Sequence, residues 1–234
     1  HDYTYLTLYR EKMEERLRSL MTETSRCVAF GAIGLDFTIA STVEAQQEQM
    51  DEFTWLLKLG VDLGRPIIVQ FVGKGAHESG LTIVHKCVPR QHVLMLHSFD
   101  GDADTAMQLI SSFPNAYLSF GGRVTFARAK QSHNLAFECP ADRLLLASGA
   151  PDEPPSELNM GKGGYCHSGH LVICAQKIAN LRRIPLNDVL ELAAENFQRF
   201  CGIDNNDNGN DNDNNDNTND NDNNDNTNDN DNND

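Results

Sequence analysis

The sequence has no C-x-x-C pair. Its six cysteines, at 27, 87, 139, 166, 174 and 201, stand singly and mostly inside apolar runs. This reads as reduced core thiols of an intracellular protein, cytoplasmic or nuclear, rather than a zinc knuckle or a disulfide framework. No apolar run approaches the roughly 20 residues that cross a bilayer, so no membrane partner is expected. No secretory leader is visible, and the first residue is His1 rather than a methionine, which reads as a fragment or a processed product. Positive charge is scarce: 19 Lys and Arg face 34 Asp and Glu, for a net charge of −15. A broad basic face for sequence-independent nucleic-acid binding is thereby excluded. No G-x-x-x-x-G-K-[ST] occurs, so Gly73-Lys74-Gly75 and Gly161-Lys162-Gly163-Gly164 read as turns. No G-x-S-x-G elbow occurs either.

The acidity is uneven. Eleven of the acids are the aspartates of residues 204–234, a segment with no other charged residue; the rest of the chain holds 23 acids against 19 bases. Asn210–Thr218 reads NDNDNNDNT, and Asn219–Thr227 repeats it without change. Such a tail cannot bury apolar surface and is expected to be a disordered, low-complexity appendage to a folded unit spanning 1–203.

Within that unit, strand and helix signals alternate. Leu6, Tyr9, Met13, Leu17 and Leu20 recur at helical spacing over 4–24. A strand-like run begins at Cys27 and continues through Gly31-Ala32-Ile33-Gly34-Leu35-Asp36-Phe37. Met50, Phe53, Leu57 and Val61 share one face of a helix over 44–63, and a weaker helical signal covers 78–87. Ile67–Phe71, 93–97, Ala116–Phe120 and Arg143–Ser148 read as buried strands, with a helix from the N-cap Asp102 to Phe113 and a poorly patterned one over 125–136. Two helices follow, one burying Leu171, Cys174, Ala175 and Ile178, the other Leu186, Val189, Leu190, Ala193, Phe197 and Phe200. Pro185 and Gly202 punctuate the second. The pattern predicts an α/β fold with a parallel sheet or barrel. Five strands cannot close an eight-stranded barrel, so the sheet is either open or completed by strands upstream of His1.

One histidine is placed where barrel enzymes keep their chemistry: His97 ends the apolar run Val93–Leu96, at the C-terminal end of a strand. The plain alternative is a satisfied core histidine. Asp36 and Asp100 also flank strand ends and read as turn or cap residues. His167 and His170 have a chelating i, i+3 spacing, although such short pairs are more often incidental.

Six ordered motifs over about residues 5–201 resemble the TatD family of metal-dependent deoxyribonucleases. Gly31, Gly34, Leu35, Asp36 and Phe37 match a Gly-Glu-x-Gly-Leu-Asp-aromatic motif. Pro66–Gln70 matches a strand that ends in a ligand histidine. His97, Phe99 and Gly101 match His-x-Phe-x-Gly; Ser119, Phe120 and Gly122 match Ser-Phe-x-Gly; Ala147–Pro151 stands at a Glu-Thr-Asp-Ala-Pro strand; Asn196 and Phe200 match Asn-x-x-x-Phe. The resemblance implies a TIM-barrel-like (β/α) fold, incomplete at its N-terminus. It implies Mg²⁺ or a similar divalent metal held by His and carboxylate side chains, and DNA as the partner.

The ligand positions are degenerate. Ala32 stands for the family glutamate, Gln70 for the histidine, and Gly149 for the aspartate, while the N-terminal His-x-His pair lies outside the sequence. Only His97 survives as a metal ligand, and the sequence offers no catalytic residue. Ala and Gly carry no donor atom, and a neutral amide oxygen is a poor substitute for imidazole on a transition ion. The expectation is a family member impaired in phosphodiester hydrolysis. The alternatives are an active metal-dependent DNase with a reduced or rebuilt site, and a non-catalytic binding or scaffold module with protein partners.

Overall fold

A computed structural model describes residues 3–23, 27–159 and 165–203 of the chain. The expected disorder of 204–234 and the turn expected at 161–164 lie outside the described residues. The chain order is α1 (Tyr3–Glu23), β1 (Phe30–Asp36), α2 (Val43–Asp62), β2 (Ile67–Val72), α3 (Ala76–Cys87), β3 (Leu94–Leu96), α4 (Ala103–Ser112), β4 (Ala116–Phe120), α5 (Lys130–Glu138), β5 (Leu144–Leu146), α6 (Leu171–Arg182) and α7 (Leu186–Cys201).

The caps follow from local chemistry. The Thr42 hydroxyl accepts the Ala45 amide at 3.2 Å, and the Asp102 carboxylate accepts that of Thr105 at 2.9 Å. Each satisfies a donor that the first helical turn leaves free. Gly202 ends α7 in the left-handed region, at φ 67°.

All four strand pairings are parallel, in the order β1-β2-β3-β4-β5. Strands adjacent in sequence are adjacent in the sheet. That is the winding of a barrel wall and differs from the reversed order of a doubly wound sheet. Side-chain alternation then sorts the core. Ile67, Val69, Leu94, Leu96, Ala116, Leu118 and Leu144 pack into the helical layer with Phe53, Leu57, Leu109 and Ile178. The opposite parity, Met95, Tyr117 and Leu145 with Ile68 beside them, forms a second cluster closed by Phe200 of α7.

Several boundaries differ from expectation, each for a local reason. The predicted helix over 125–136 is instead a 3-10 turn at Gly122–Thr125 followed by α5. The buried Thr125 hydroxyl bonds the Gly122 carbonyl at 2.7 Å and accepts the Ser156 amide at 2.8 Å, which ties the chain down before α5 starts. The strand expected over Arg143–Ser148 is regular at Leu144–Leu146: Ala141–Arg143 forms a 3-10 turn closed on the Pro140 carbonyl, and past Leu146 the Ala147 amide still reaches the Phe120 carbonyl at 2.9 Å. Phe197, expected on the buried face of α7, is 50% exposed. Among the described side chains of α1 Met21 is buried, while Tyr9 and Leu20 are exposed; Met21 and Leu17 pack with Phe30 and Leu59.

Candidate active site at the strand ends

The inner parity of the sheet continues one residue beyond the apolar layer. Gly34 pairs with Gln70 across β1 and β2, and Ser119 pairs with Leu145 across β4 and β5. His97 follows Met95 by two residues and donates its amide to the Val69 carbonyl at 2.7 Å. Gln70, His97 and Ser119 thus share one face, at the C-terminal ends of β2, β3 and β4.

His97 is fixed from β4. The Ser119 hydroxyl, 1% exposed, lies 3.4 Å from His97 Nδ1 and accepts the Ser98 amide at 3.1 Å. Burial pushes the His97 imidazole below its ordinary value, and the facing Glu153 carboxylate opposes that push. His92 is also lowered by burial, against a 2.9 Å contact between its Nε2 and the Arg65 carbonyl oxygen. A folded-state value below the unfolded one means that the unfolded chain takes up the proton first. Stability is therefore full above the usual imidazole value of about 6.5 and is lost as pH falls through it. The thermal midpoint is expected to drop between pH 7.5 and 5.5, with a shallower drop in His92→Gln. A flat profile in both proteins would contradict neutral buried imidazoles.

Glu153 is the site residue that sequence reasoning missed. The Asp152 and Glu153 amides both reach back to the Gly149 carbonyl, at 3.0 and 2.8 Å, closing a tight turn after Gly149, which has φ 61°. That turn swings the Glu153 side chain over the residue where the family carboxylate is absent. A Cβ added at Gly149 would lie 2.5 Å from Glu153 Cβ and 2.8 Å from its Oε2. The available signal was the glycine four residues before an acid; read as a turn, it brings the acid back to the strand end. Glu153 Oε2 and Ser98 Oγ are both buried without a hydrogen-bond partner. They converge on Gly121, where a Cβ would sit 2.8 Å from Ser98 Oγ and 3.2 Å from Glu153 Oε2.

The other candidates have structural duties. Asp36 accepts the Thr38 amide at 2.9 Å, as a turn residue should. Asp100 is not a simple turn or cap residue; Asp102 is the cap. Asp100 bonds Arg123 and lies 3.0 Å from His77 Nε2. That last contact is an ion-pair approach and not an aligned hydrogen bond. His77 and the Arg123 charge together hold the Asp100 carboxyl below its usual range. His167 Nδ1 accepts the Gly169 amide at 3.1 Å, and His170 Nδ1 accepts the His167 amide at 3.3 Å, so the pair caps the turn before α6. Gly73 and Gly75, both at positive φ, turn the chain into α3. All six cysteines are free; burial pushes the Cys139 thiol up to about 12 and that of Cys174 up to about 11, which removes them as nucleophiles.

The donor set does not fit a two-dication centre. Ala32 and Gln70 line an open groove beside β1 but bring no anionic or imidazole donor to it. Gly149 brings none to the other side. Among the described residues no three His, Cys, Asp or Glu side chains converge as ligands. No helix among them is long and apolar enough to cross a membrane.

Comparison with known proteins agrees with this architecture. The family profile described as TatD related DNase matches residues 4–202. The human 3'-5' RNA nuclease TATDN2 is 28% identical over 191 residues, covering 82% of this chain and 25% of that protein. The metal-dependent hydrolase YcfH of Escherichia coli K12 is 30% identical over 190 residues, covering 81% of this chain and 68% of the relative. Among solved structures, the TatD homologue YJJV from Escherichia coli superposes with a TM-score of 0.69 at 22% identity, over 82% of this chain and 70% of that one. An amidohydrolase from Saccharomyces cerevisiae gives 0.65 at 15%, over 86% and 74%. These structures fix the fold as TIM-barrel-like. The chain thus spans a quarter of the human relative and about two thirds of the bacterial one. From residue 4 to residue 202, it belongs to the TatD-related DNase family.

Proposed function

We propose that this chain is a TatD-type hydrolase unit, residues 1–203 with an acidic appendage at 204–234, whose metal-dependent cleavage of nucleic-acid phosphodiesters is impaired. Its relatives include a named RNA nuclease and named metal-dependent hydrolases, which supports nucleic acid, DNA or RNA, as the substrate class and a divalent metal as the inherited cofactor. The observation that carries the impairment is the row of strand ends itself: Ala32, Gln70 and Gly149 leave His97 without the ligands that two dications need. A dication gives up water only to several anionic or imidazole ligands, and a single imidazole does not offset that loss. Without bound metal, neither the polarised phosphoryl oxygen nor the metal hydroxide is available, and each is worth several kcal/mol of barrier.

Arg123, Arg128 and Lys130 line the hollow beside the strand ends with the half-exposed Phe126, but Asp100, Asp152 and Glu153 line it too and cancel their charge, so it is not a basic phosphate cradle. With labelled single-stranded RNA and Mg²⁺ or Mn²⁺, the full chain is expected to cleave at least about 100-fold more slowly than the human RNA nuclease TATDN2, the scale set by losing ~3 kcal/mol of transition-state stabilisation. Metal-dependent cleavage at a comparable rate that disappears in His97→Ala would overturn the reading. Glu153 gives one reason for a second reading, an active nuclease with a rebuilt site, and the same assay decides between them.

A further inference from the structure

The hollow beside the strand ends encloses about 620 Å³, inside the range of ~300–1,000 Å³ typical of small-molecule sites. Two loops wall it. The segment after β4 brings Phe126, Arg128 and Lys130, and the turn after β5 brings Asp152 and Glu153. The loops are clamped together nearby. Ser156 donates its amide to the Thr125 hydroxyl at 2.8 Å, and its own hydroxyl lies 2.9 Å from the Thr125 carbonyl oxygen. Thr125 adjoins Phe126, and Ser156 follows Glu153 by three residues, so the same clamp sets both walls. The Phe126 ring is 47% exposed. Asp100 and Arg123 also border the hollow, but they spend their charges on each other. Arg128, Lys130, Asp152 and Glu153 differ: among the described residues none of the four enters an ion pair. Opposite charges therefore border one hollow without closing on each other. A bare phosphate gains little there, because the acids oppose it.

A ligand that suits such walls has a flat face, a row of N–H donors and an anion in one molecule. A nucleotide has all three, and the bases differ in their donors. Guanine carries N1–H and an amino group side by side, and one carboxylate can accept both. Adenine and cytosine set a single amino group beside a bare ring nitrogen, which a carboxylate repels. Uracil holds its one N–H between two carbonyl oxygens. We propose that the hollow is a base-reading subsite for a guanine nucleotide. The base stacks on Phe126, its donor edge meets the carboxylates of Asp152 and Glu153, and the phosphate lies toward Arg128 and Lys130. This deepens the nucleic-acid reading above and rests on it. The subsite uses no metal, so the losses at Ala32, Gln70 and Gly149 leave it intact.

The test is fluorescence anisotropy of labelled RNA octamers on the full chain, at low salt and with EDTA, so that neither dication nor cleavage enters. A uridine octamer with one central guanosine should bind roughly tenfold more tightly than the all-uridine octamer, the scale of one good bidentate contact. The double variant Asp152→Asn with Glu153→Gln should bring the two within about twofold, because an amide offers a donor as well as an acceptor. Phe126→Ala, which leaves the carboxylates in place, should weaken the guanosine octamer roughly tenfold through lost stacking. Circular dichroism melts establish that each variant is folded. Displacement of the guanosine octamer by 5′-GMP but not by 5′-UMP would mean that the free nucleotide suffices; displacement by neither would mean that the base is read only within a strand. Equal binding of the two octamers, or an unchanged guanosine preference in the double variant, overturns the subsite and leaves the impaired reading standing. Rapid cleavage on adding Mg²⁺, with the guanosine preference intact, overturns impairment and leaves the subsite standing. Absence of binding to either octamer overturns the subsite together with the nucleic-acid reading.

Discussion

Replacing Phe200 by alanine should cost about 3–5 kcal/mol of stability, the range for deleting a buried phenyl ring that its surroundings cannot refill. Phe200 is 1% exposed and meets the Tyr117 ring edge-on, with centroids 5.7 Å apart. With Met95 and Leu145 it closes the inner face of the sheet. In a complete barrel that face is filled by side chains from all the strands. Among the described residues five strands form the sheet, and the Phe200 ring of α7 packs against their inner layer. A domain of this size loses roughly 2–4 °C of thermal midpoint per kcal/mol, so a drop of about 10 °C is expected in a melt followed by circular dichroism. Phe197→Ala is the control. Its ring is half exposed, and the change should stay within about 1 kcal/mol. Equal losses in the two variants would mean that the inner layer does not depend on α7.

The same pair shows where sequence reading works. A helical wheel puts Phe197 and Phe200 on one face, three residues apart, and cannot say how wide the buried stripe is. The contact with β4 and β5 admits only one of them. By contrast, the strands Ile67–Val72 and Ala116–Phe120 were readable because continuous apolar runs survive only where both faces are covered. Asp102 was readable as a cap because its carboxylate acts on an amide three residues away. His97 was placed correctly at a strand end for the same local reason. Glu153 was not readable: its position depends on a turn through Gly149 and on the close approach that Gly121 and Gly122 allow, and none of these has a periodic signature. Asp100 was misjudged because both its partners, His77 and Arg123, come from distant segments.

Asn196 offers the sharper test of how α7 is fastened to the sheet. It is fully buried, and its side-chain amide donates to the Ala141 carbonyl at 2.8 Å and the Leu144 carbonyl at 2.7 Å. Both of its N–H donors are therefore spent at the entrance to β5, while its oxygen accepts from Arg199. Asn196→Leu keeps the volume but strands two carbonyl oxygens away from water. Each costs about 1–3 kcal/mol, so a loss of about 2–5 kcal/mol is expected in urea unfolding. Asn196→Asp keeps the shape and should be worse at neutral pH: an ionised carboxylate has no proton to donate and faces two carbonyl oxygens, with only Arg199 to offset it. The sign of its pH dependence is fixed by the same contacts. A carboxyl held among acceptors has its folded-state pKa raised, so its penalty is largest above that value and shrinks as the proton returns and restores one donor. Measured against the wild type at each pH, the aspartate variant should recover stability between pH 7 and 5, whereas the leucine variant should not. An aspartate variant as stable as the wild type at pH 7 would mean that the two carbonyls are satisfied by something other than Asn196.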